Sequence, residues 1–290
     1  MDVSIIVPLY HGTKYIKNLL QMIRRNIESA GTINVELVLV NDSPEDEPED
    51  SDIQDADFPI LLIRNKENLG IQRARLCGAE HSHGRYLLFL DQDDVILDDA
   101  IRKLYDAVQS GDIAVSDWLL EVSGKHGIDS QEVLANTKCY SVKRFSCGGN
   151  VIGPPGHCML RRDCLPSCWR NRIMRINGAD DYLLWIGMLA EKRKFIRCEG
   201  KLYIHKYHDG CFSNDELNIW KSEEEAFQLA ADEYEISAFW RRIHARFIRW
   251  RIRCATIMNQ QSSLFTRWVM LLLCPEQLLL RILEKCGIYV

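Results

Sequence analysis

The chain has 290 residues, enough for one large α/β domain with an appendage or for two small domains, and enough to bury a core without covalent staples. With 47% apolar residues, an intrinsically disordered chain is excluded. The formal net charge of −5 argues against nucleic acid as a partner.

Ser4-Ile5-Ile6-Val7-Pro8-Leu9 is a short, almost continuous apolar run and reads as a strand buried on both faces. Apolar Ile16, Leu19, Leu20 and Ile23 recur at helical spacing between charges and predict a helix over 13–29. Residues 35–40 form a second buried strand that ends at Asn41-Asp42-Ser43-Pro44. Nine acids and no Lys or Arg follow between Asp42 and Asp57, the pattern of a solvated loop. A third strand is expected over 59–63 and a helix over 71–82, after Asn68-Leu69-Gly70. Tyr86-Leu87-Leu88-Phe89-Leu90 is a fourth strand that runs into Asp91. A helix over 98–109 and a strand over 113–117 complete the regular part. Alternating strands and helices with short connections imply a mainly parallel sheet covered on both faces. From about residue 120 the rhythm breaks. Gly148-Gly149 and Gly153-Pro154-Pro155-Gly156 mark loops, 181–192 read as a helix, and 216 to the end look helical with a break at Pro275.

The eleven cysteines form no paired C-x-x-C motifs. Met1-Asp2-Val3-Ser4 leads straight into a strand, so no secretory signal is expected and the cysteines read as reduced, small buried hydrophobes of a cytoplasmic chain. The apolar run Trp268–Cys274 is far shorter than the about 20 residues that span a bilayer.

Parallel sheets bind ligands at the carboxyl ends of their strands, and Asp42 and Asp91 both fall there. Asp91-Gln92-Asp93-Asp94 places three carboxylates in four residues. Such a group repels itself unless a cation neutralises it, and all-oxygen ligands favour Mg2+ or Mn2+ bridging to substrate phosphates. The alternative is an acidic helix start, a role that Asp98 and Asp99 already fill for the helix at 98–109.

Several stretches, in order and spacing, resemble the inverting family 2 glycosyltransferases of the GT-A fold. They are Ser4–Tyr10, Val38–Ser43, Asn68-Leu69-Gly70 with Ala74-Arg75 and Gly78, Gly84–Asp94, Asp180-Asp181, and His205–Ser213. The resemblance covers Ser4 to about Ser213 and implies a Rossmann-like α/β fold, a mainly parallel central sheet flanked by helices. It implies a catalytic domain over 1–215, with 1–117 binding a nucleotide-sugar donor and 118–215 carrying the acceptor site and base. Residues 216–290 would be a helical, basic extension.

The resemblance also implies roles. The first strand end, Pro8 to Tyr10, packs against the nucleobase, and Asp42 accepts a hydrogen bond from uracil N3–H. Asn68, Gly70 and Arg75 run beside the donor, Arg75 on phosphate or on an Asp of the cluster. In the cluster itself, with Gln92, Asp93 is the stronger metal ligand, while Asp91 touches the ribose or the metal and Asp94 supports them from behind. Asp181 matches the base that takes the acceptor proton, with Asp180 in place of the usual Glu. Asp180 could equally cap the helix. Trp185 lines the acceptor side or belongs to the core. His208 sits near metal or diphosphate and Lys206 neutralises phosphate. A zinc site from His205, His208 and Cys211 is a different reading of the same segment. His11 and Leu76 stand where the family usually has Asn.

Expected, then, is transfer of a sugar from a nucleotide-diphosphate donor, a UDP-sugar, to a glycan or lipid-linked hydroxyl acceptor with inversion, in cell-surface polysaccharide or glycoconjugate assembly. A nucleotidyltransferase and an inactive nucleotide-sugar-binding protein are the alternatives. A dinucleotide oxidoreductase would need Gly-x-Gly-x-x-Gly after the first strand, where Pro8-Leu9-Tyr10-His11-Gly12 stands instead. From Ile236 to Pro275 there are seven Arg and no acid. Two readings of that stretch stay open: peripheral contact with an anionic membrane at its inner face, or helices that pack on the catalytic domain or on a second subunit in a homodimer.

Overall fold

The computed structural model describes residues 1–123, 128–131, 140–208 and 214–258. Contacts divide the chain into two compact units. The first comprises Met1–Ala135, Pro154–Leu165 and Arg193–Asp209, and the second Asn136–Gly153, Pro166–Lys192 and Gly210–Val290.

The first unit is an α/β sheet with helices. Its strands are β1 (Val3–Leu9), β2 (Val35–Asn41), β3 (Ile60–Arg64), β4 (Tyr86–Phe89), β5 (Val95–Ile96), β6 (Ile113–Val122), β7 (Ile128–Gln131), β8 (Cys158–Arg161) and β9 (Phe195–Tyr207). The order is β3-β2-β1-β4-β8-β6-β9-β5, with β7 beside β6. The run β3-β2-β1-β4 is parallel throughout. Beyond it β8 inserts antiparallel to both β4 and β6, while β6 and β9 pair in parallel. Every residue of β1 and β2 is buried, as the unbroken apolar runs predict.

Of the three polar residues inside those strands, Ser4 and Glu36 meet each other, and Asn41 Nδ2 donates to the Ser43 carbonyl at 3.1 Å. Ser4 Oγ donates to Glu36 Oε1 at 2.6 Å, and Gly84 N donates to Ser4 Oγ at 2.7 Å. Three helices complete the unit: α1 (Ile16–Ala30), α2 (Ile71–His81) and α3 (Ala100–Val108). Helix α2 lies close on the sheet because Gly78 has no side chain. A Cβ there would come within 2.4 Å of Ile6 Cγ2.

Two expectations are corrected here. Helix α3 starts at Ala100 rather than 98, with Asp99 at its N-cap position but no side-chain capping bond. Asp98 pairs with Arg25 at 2.9 Å and Asp99 with Lys103 at 2.6 Å. The strand expected to stop at 117 runs on to Val122, alongside the thirteen-residue β9. The β6–β9 register slips between Ser116 and Trp118, and Gly200, at φ 106°, lies in the slip. A bulge of this kind destroys the period-two alternation by which a strand is read.

The second unit is helical: α4 (Val142–Gly148), α5 (Ser167–Asn171), α6 (Asp180–Ala190), α7 (Glu216–Glu233) and α8 (Ala238–Met258). Ser141 caps α4 by accepting from Arg144 N at 3.1 Å. Helix α6 is apolar nearly all round and is the core of the unit, with Tyr182, Leu183, Trp185, Ile186 and Met188 at 0% exposure. Trp185 is therefore a core aromatic, its Nε1–H donating to the Gly153 carbonyl at 3.0 Å. The seven described cysteines are free thiols, five of them buried. Burial pushes Cys168 up to about 12, as expected of inert core thiols. Pro275 lies outside the described residues.

Candidate active site

Strands β1, β2 and β4 end at one edge of the sheet, and the segments that follow them are tied together. Tyr10 is half exposed, and its backbone is clamped by Gln92. Tyr10 N donates to Gln92 Oε1, and Gln92 Nε2 donates to the Tyr10 carbonyl, both at 2.9 Å. Gln92 thus fixes the β1 end. A Cβ on Gly12 would come within 2.2 Å of that amide oxygen, which is why the close approach needs glycine. His11 N donates to Ser43 Oγ at 2.9 Å, joining the ends of β1 and β2. Pro8 is buried and costs no ladder bond to β4, whose pairing with β1 ends at Ile6.

Asp42 is buried and accepts three hydrogen bonds from one loop: Asn65 Nδ2 at 2.8 Å, Leu69 N at 2.9 Å and Gly70 N at 2.8 Å. The side chain expected at a base edge therefore also shapes the loop before α2. Asn68 Oδ1 accepts from Gly70 N at 2.9 Å as well. Gly70 has φ 85°, so its contribution is a left-handed backbone at the start of α2, which a side chain would strain.

The acidic turn after β4 is braced from three sides. Arg75, its side chain 4% exposed, forms an ion pair with Asp91 Oδ1. Of the two roles expected for Arg75, anchoring an Asp is the one observed. Asp94 is fully buried and points back to β9, where it accepts from the Tyr203 hydroxyl, from Lys206 N at 2.8 Å and from His205 Nδ1 at 3.0 Å. Burial raises the Asp94 pKa, with Asp91's charge adding and His205 opposing. For His205, burial works downward, but the bond to Asp94 and the surrounding acids prevail and raise it. Lys206 meets the cluster through its backbone, and that bond assigns its side chain nothing.

Asp93 and His208 meet directly, Nε2 to Oδ2 at 2.9 Å, with side chains about a quarter to a third exposed. Two adjacent ligands at about 2.1 Å from an octahedral ion lie roughly 3 Å apart, so this pair fits two corners of a divalent-metal shell. Among the described residues, no three His, Cys, Asp or Glu side chains converge on a metal position. The donor set suits an ion completed by diphosphate oxygens and water. It does not suit a closed structural zinc site. Cys211, the third ligand of the zinc reading, lies outside the described residues.

Asp180 and Asp181 belong to the second unit, in the first turn of α6. Ala179 holds the N-cap position, so capping is not the task of Asp180, which is 4% exposed. Asp181 Oδ2 accepts from Asn150 Nδ2 at 2.7 Å and Oδ1 accepts from Tyr182 N at 2.8 Å. Asn150 Oδ1 in turn accepts from Gly153 N at 3.0 Å. Next to this lies Glu223 of α7, 3% exposed, whose Oε1 has no hydrogen-bond partner among the described residues. Burial, then the charge of Asp181, pushes Glu223 up to about 8, against Arg251 and the Asn150 N–H.

Sequence reasoning did not find Asn150, Tyr203 or Glu223. Tyr203 and His205 stand two apart on β9, the spacing of one strand face, and that was the available signal. Asn150 and Glu223 carry none, because both reach α6 across long sequence separations.

Comparison with known proteins gives this geometry its context. Residues 4–167, more than half of the chain, match the model of Glycosyl transferase family 2. The chain is 32% identical over 120 residues to "Glycosyltransferase GlyA" of Streptococcus pneumoniae, covering 40% of this chain and 16% of that protein. It is 32% identical over 100 residues to "Minor teichoic acid biosynthesis protein GgaB" of Bacillus subtilis, covering 33% and 11%. The matched segments are thus a small part of those relatives' length. Among solved structures, S. aureus TarS 1–349 in complex with UDP superposes with TM-score 0.63 at 15% identity, covering 96% of this chain and 82% of that one. TarS 1–349 in complex with UDP-GlcNAc gives 0.61 at 16%, covering 86% and 72%. The chain belongs to glycosyltransferase family 2, and its fold is that of the matched TarS 1–349.

Proposed function

We propose that this family 2 glycosyltransferase moves a sugar from a UDP-sugar to a hydroxyl acceptor, by a single displacement that inverts the anomeric carbon. The observation that carries the reading is the acidic turn at the end of β4, with Asp91 held by Arg75, Asp94 by β9, and Asp93 against His208. Three carboxylates are fixed there by partners that leave Asp93 and His208 partly exposed. TarS, of the same fold, has been crystallised with UDP and with UDP-GlcNAc, which supports uridine for the donor.

In this reading the Pro8–Tyr10 strand end and Asp42 frame the base, and the loop Asn68–Gly70 runs beside the donor. A divalent ion, Mn2+ or Mg2+, held by Asp93 and His208 with Asp91 beside it, would supply positive charge opposite the leaving diphosphate. Lys206 adds a cation to the same edge. Asp181 takes the proton from the acceptor hydroxyl, oriented for it by the amide of Asn150. Asp180 supports that helix start from within the core. The acceptor is a glycan or lipid-linked glycan, and the reaction serves cell-surface polymer assembly at the cytoplasmic face. GgaB, named for minor teichoic acid biosynthesis, supports that setting.

The test is a panel of nucleotide sugars with Mn2+ or Mg2+, read as nucleoside diphosphate release, with product stereochemistry by NMR. A retained anomeric configuration sinks the inverting mechanism. Pyrophosphate release instead identifies a nucleotidyltransferase, and tight donor binding without turnover an inactive binding protein.

A further inference from the structure

Helix α8 has two faces of opposite character. His244, Phe247, Ile248 and Ala255 are buried. The His244 ring stacks on Phe227 of α7 at 3.8 Å and lies 6.1 Å from Tyr182 of α6. That face is the packing face. On the other, Arg242, Arg246, Arg249 and Arg253 are all exposed. Spacings of four, three and four residues set them within roughly 60° of one another around the helix, in a row about 16 Å long.

The two remaining arginines of the helix are engaged elsewhere. Arg241 pairs with Asp232 at 2.5 Å, and Arg251 lies over the Trp220 ring at 4.0 Å. Arg242, Arg249 and Arg253 make no ion pair with another described residue. No acid occurs between Ile236 and Pro275, so the helix carries no neutralising charge of its own. Phe239, 61% exposed, continues the same stripe one turn before Arg242.

We infer that this face of α8 docks on an anionic membrane surface. Like charges along one helix edge, Arg242, Arg249 and Arg253 among them, repel one another, and a layer of anionic headgroups relieves that repulsion. A straight row on a convex helix fits a plane. An exposed aromatic at its end supplies the apolar contact that accompanies basic residues at an interface. A second copy of the chain is a poor occupant, because two such faces would oppose arginine to arginine. Among the described residues, packing within the chain is made by the other face. In a chain of net charge −5 the stripe is a local excess, oriented rather than diffuse. This inference does not depend on the donor, the metal or the base.

The experiment is co-sedimentation of the full chain with phosphatidylcholine vesicles, with and without phosphatidylglycerol, over a range of salt. Binding to the anionic vesicles alone, weakened by salt, is expected. Replacing all four (R242Q, R246Q, R249Q, R253Q) lowers the partition about five-fold per arginine, several hundred-fold in all. The paired variants R242Q/R246Q and R249Q/R253Q, each about 25-fold weaker by the same figure, give the answer if the quadruple variant loses its helical circular dichroism. Wild-type affinity in a folded quadruple variant overturns the inference, as does equal binding to neutral vesicles. Arginine-dependent binding of soluble polyphosphate with no vesicle binding also overturns it.

Discussion

The acidic turn after β4 and the acidic start of α6 are both short runs of aspartate, and they are held by opposite means. Around Asp91, Asp93 and Asp94 the partners are a guanidinium and two imidazoles, with one phenol. Around Asp181 they are a neutral amide and a backbone N–H, with the buried carboxyl of Glu223 close by. A guanidinium and two imidazoles hold the first group in place, which suits its proposed role beside a metal and a diphosphate. An amide and a backbone N–H hold Asp181 in place, which suits its proposed role as the group that meets the acceptor proton. On the proposed reading, the same residue type is divided between two tasks by its neighbours.

Replacing the proposed base tests this division most severely. Asp181→Asn is expected to lower turnover by about 10^3-fold while donor affinity stays near wild type, because general-base contributions run to about 10^4. Donor binding by calorimetry alongside turnover separates the two. A variant that retains more than a tenth of wild-type turnover would remove Asp181 from the proton transfer. Asp93→Asn is expected to cost about 10^2-fold in turnover, and unlike Asp181→Asn it should also abolish the metal dependence of donor binding. Equal metal response in the two variants would erase the contrast between the regions.

Arg75 sharpens the contrast from the stability side. Its ion pair with Asp91 is largely withdrawn from water on the arginine side, with 4% of that side chain exposed. Breaking a buried pair from one side leaves the other charge uncompensated and costs about 3 kcal/mol or more. Arg75→Met, which keeps the stem, should lower the urea midpoint accordingly, and Arg75→Met with Asp91→Asn should recover part of that loss. Asp181→Asn, which keeps the shape of the side chain and an oxygen to accept from Tyr182 N, should shift the midpoint less.

The first half of the fold was legible because its strands are buried on both faces and read as unbroken apolar runs, as in Ser4–Leu9 and Tyr86–Leu90. The acidic turn was legible because three acids at a strand end have no comfortable structural alternative. What escaped did so for physical reasons. Strand β9 carries a bulge at Gly200 and so has no clean alternation, and β8 is four residues inserted antiparallel between β4 and β6. Asn150 and Glu223 work through contacts made 31 and 73 residues away from Asn150, from loop to α6 and from loop to α7. No local pattern encodes a pairing at that distance. The excess of arginine in α8 was visible as composition, but its division into a packed and a basic face needed the helix's surroundings.

The smallest expected effect concerns Glu223, and its sign is distinctive. Its pKa of about 8 in the folded chain lies above the ordinary value of 4.5 because burial, and then Asp181, disfavour the charged form. A carboxyl raised on folding adds stability that is complete below 4.5 and drains away as the pH climbs through 8. Most acids that stabilise folds do the reverse. Between pH 6 and pH 8 the folded chain holds one proton more at this site than the unfolded chain, worth roughly 2.5 kcal/mol of lost stability over that interval. Glu223→Gln keeps the shape and removes the titration, so its denaturation midpoint should stay flat where the wild type declines. It should also lose the ionisation that places a second negative charge near Asp181 above pH 8. Turnover in the variant should therefore follow a simpler profile on its alkaline side. Parallel stability curves for the two proteins across that interval would mean that Glu223 is charged in the folded chain, and the contrast between the two acidic regions would then rest on Asn150 alone.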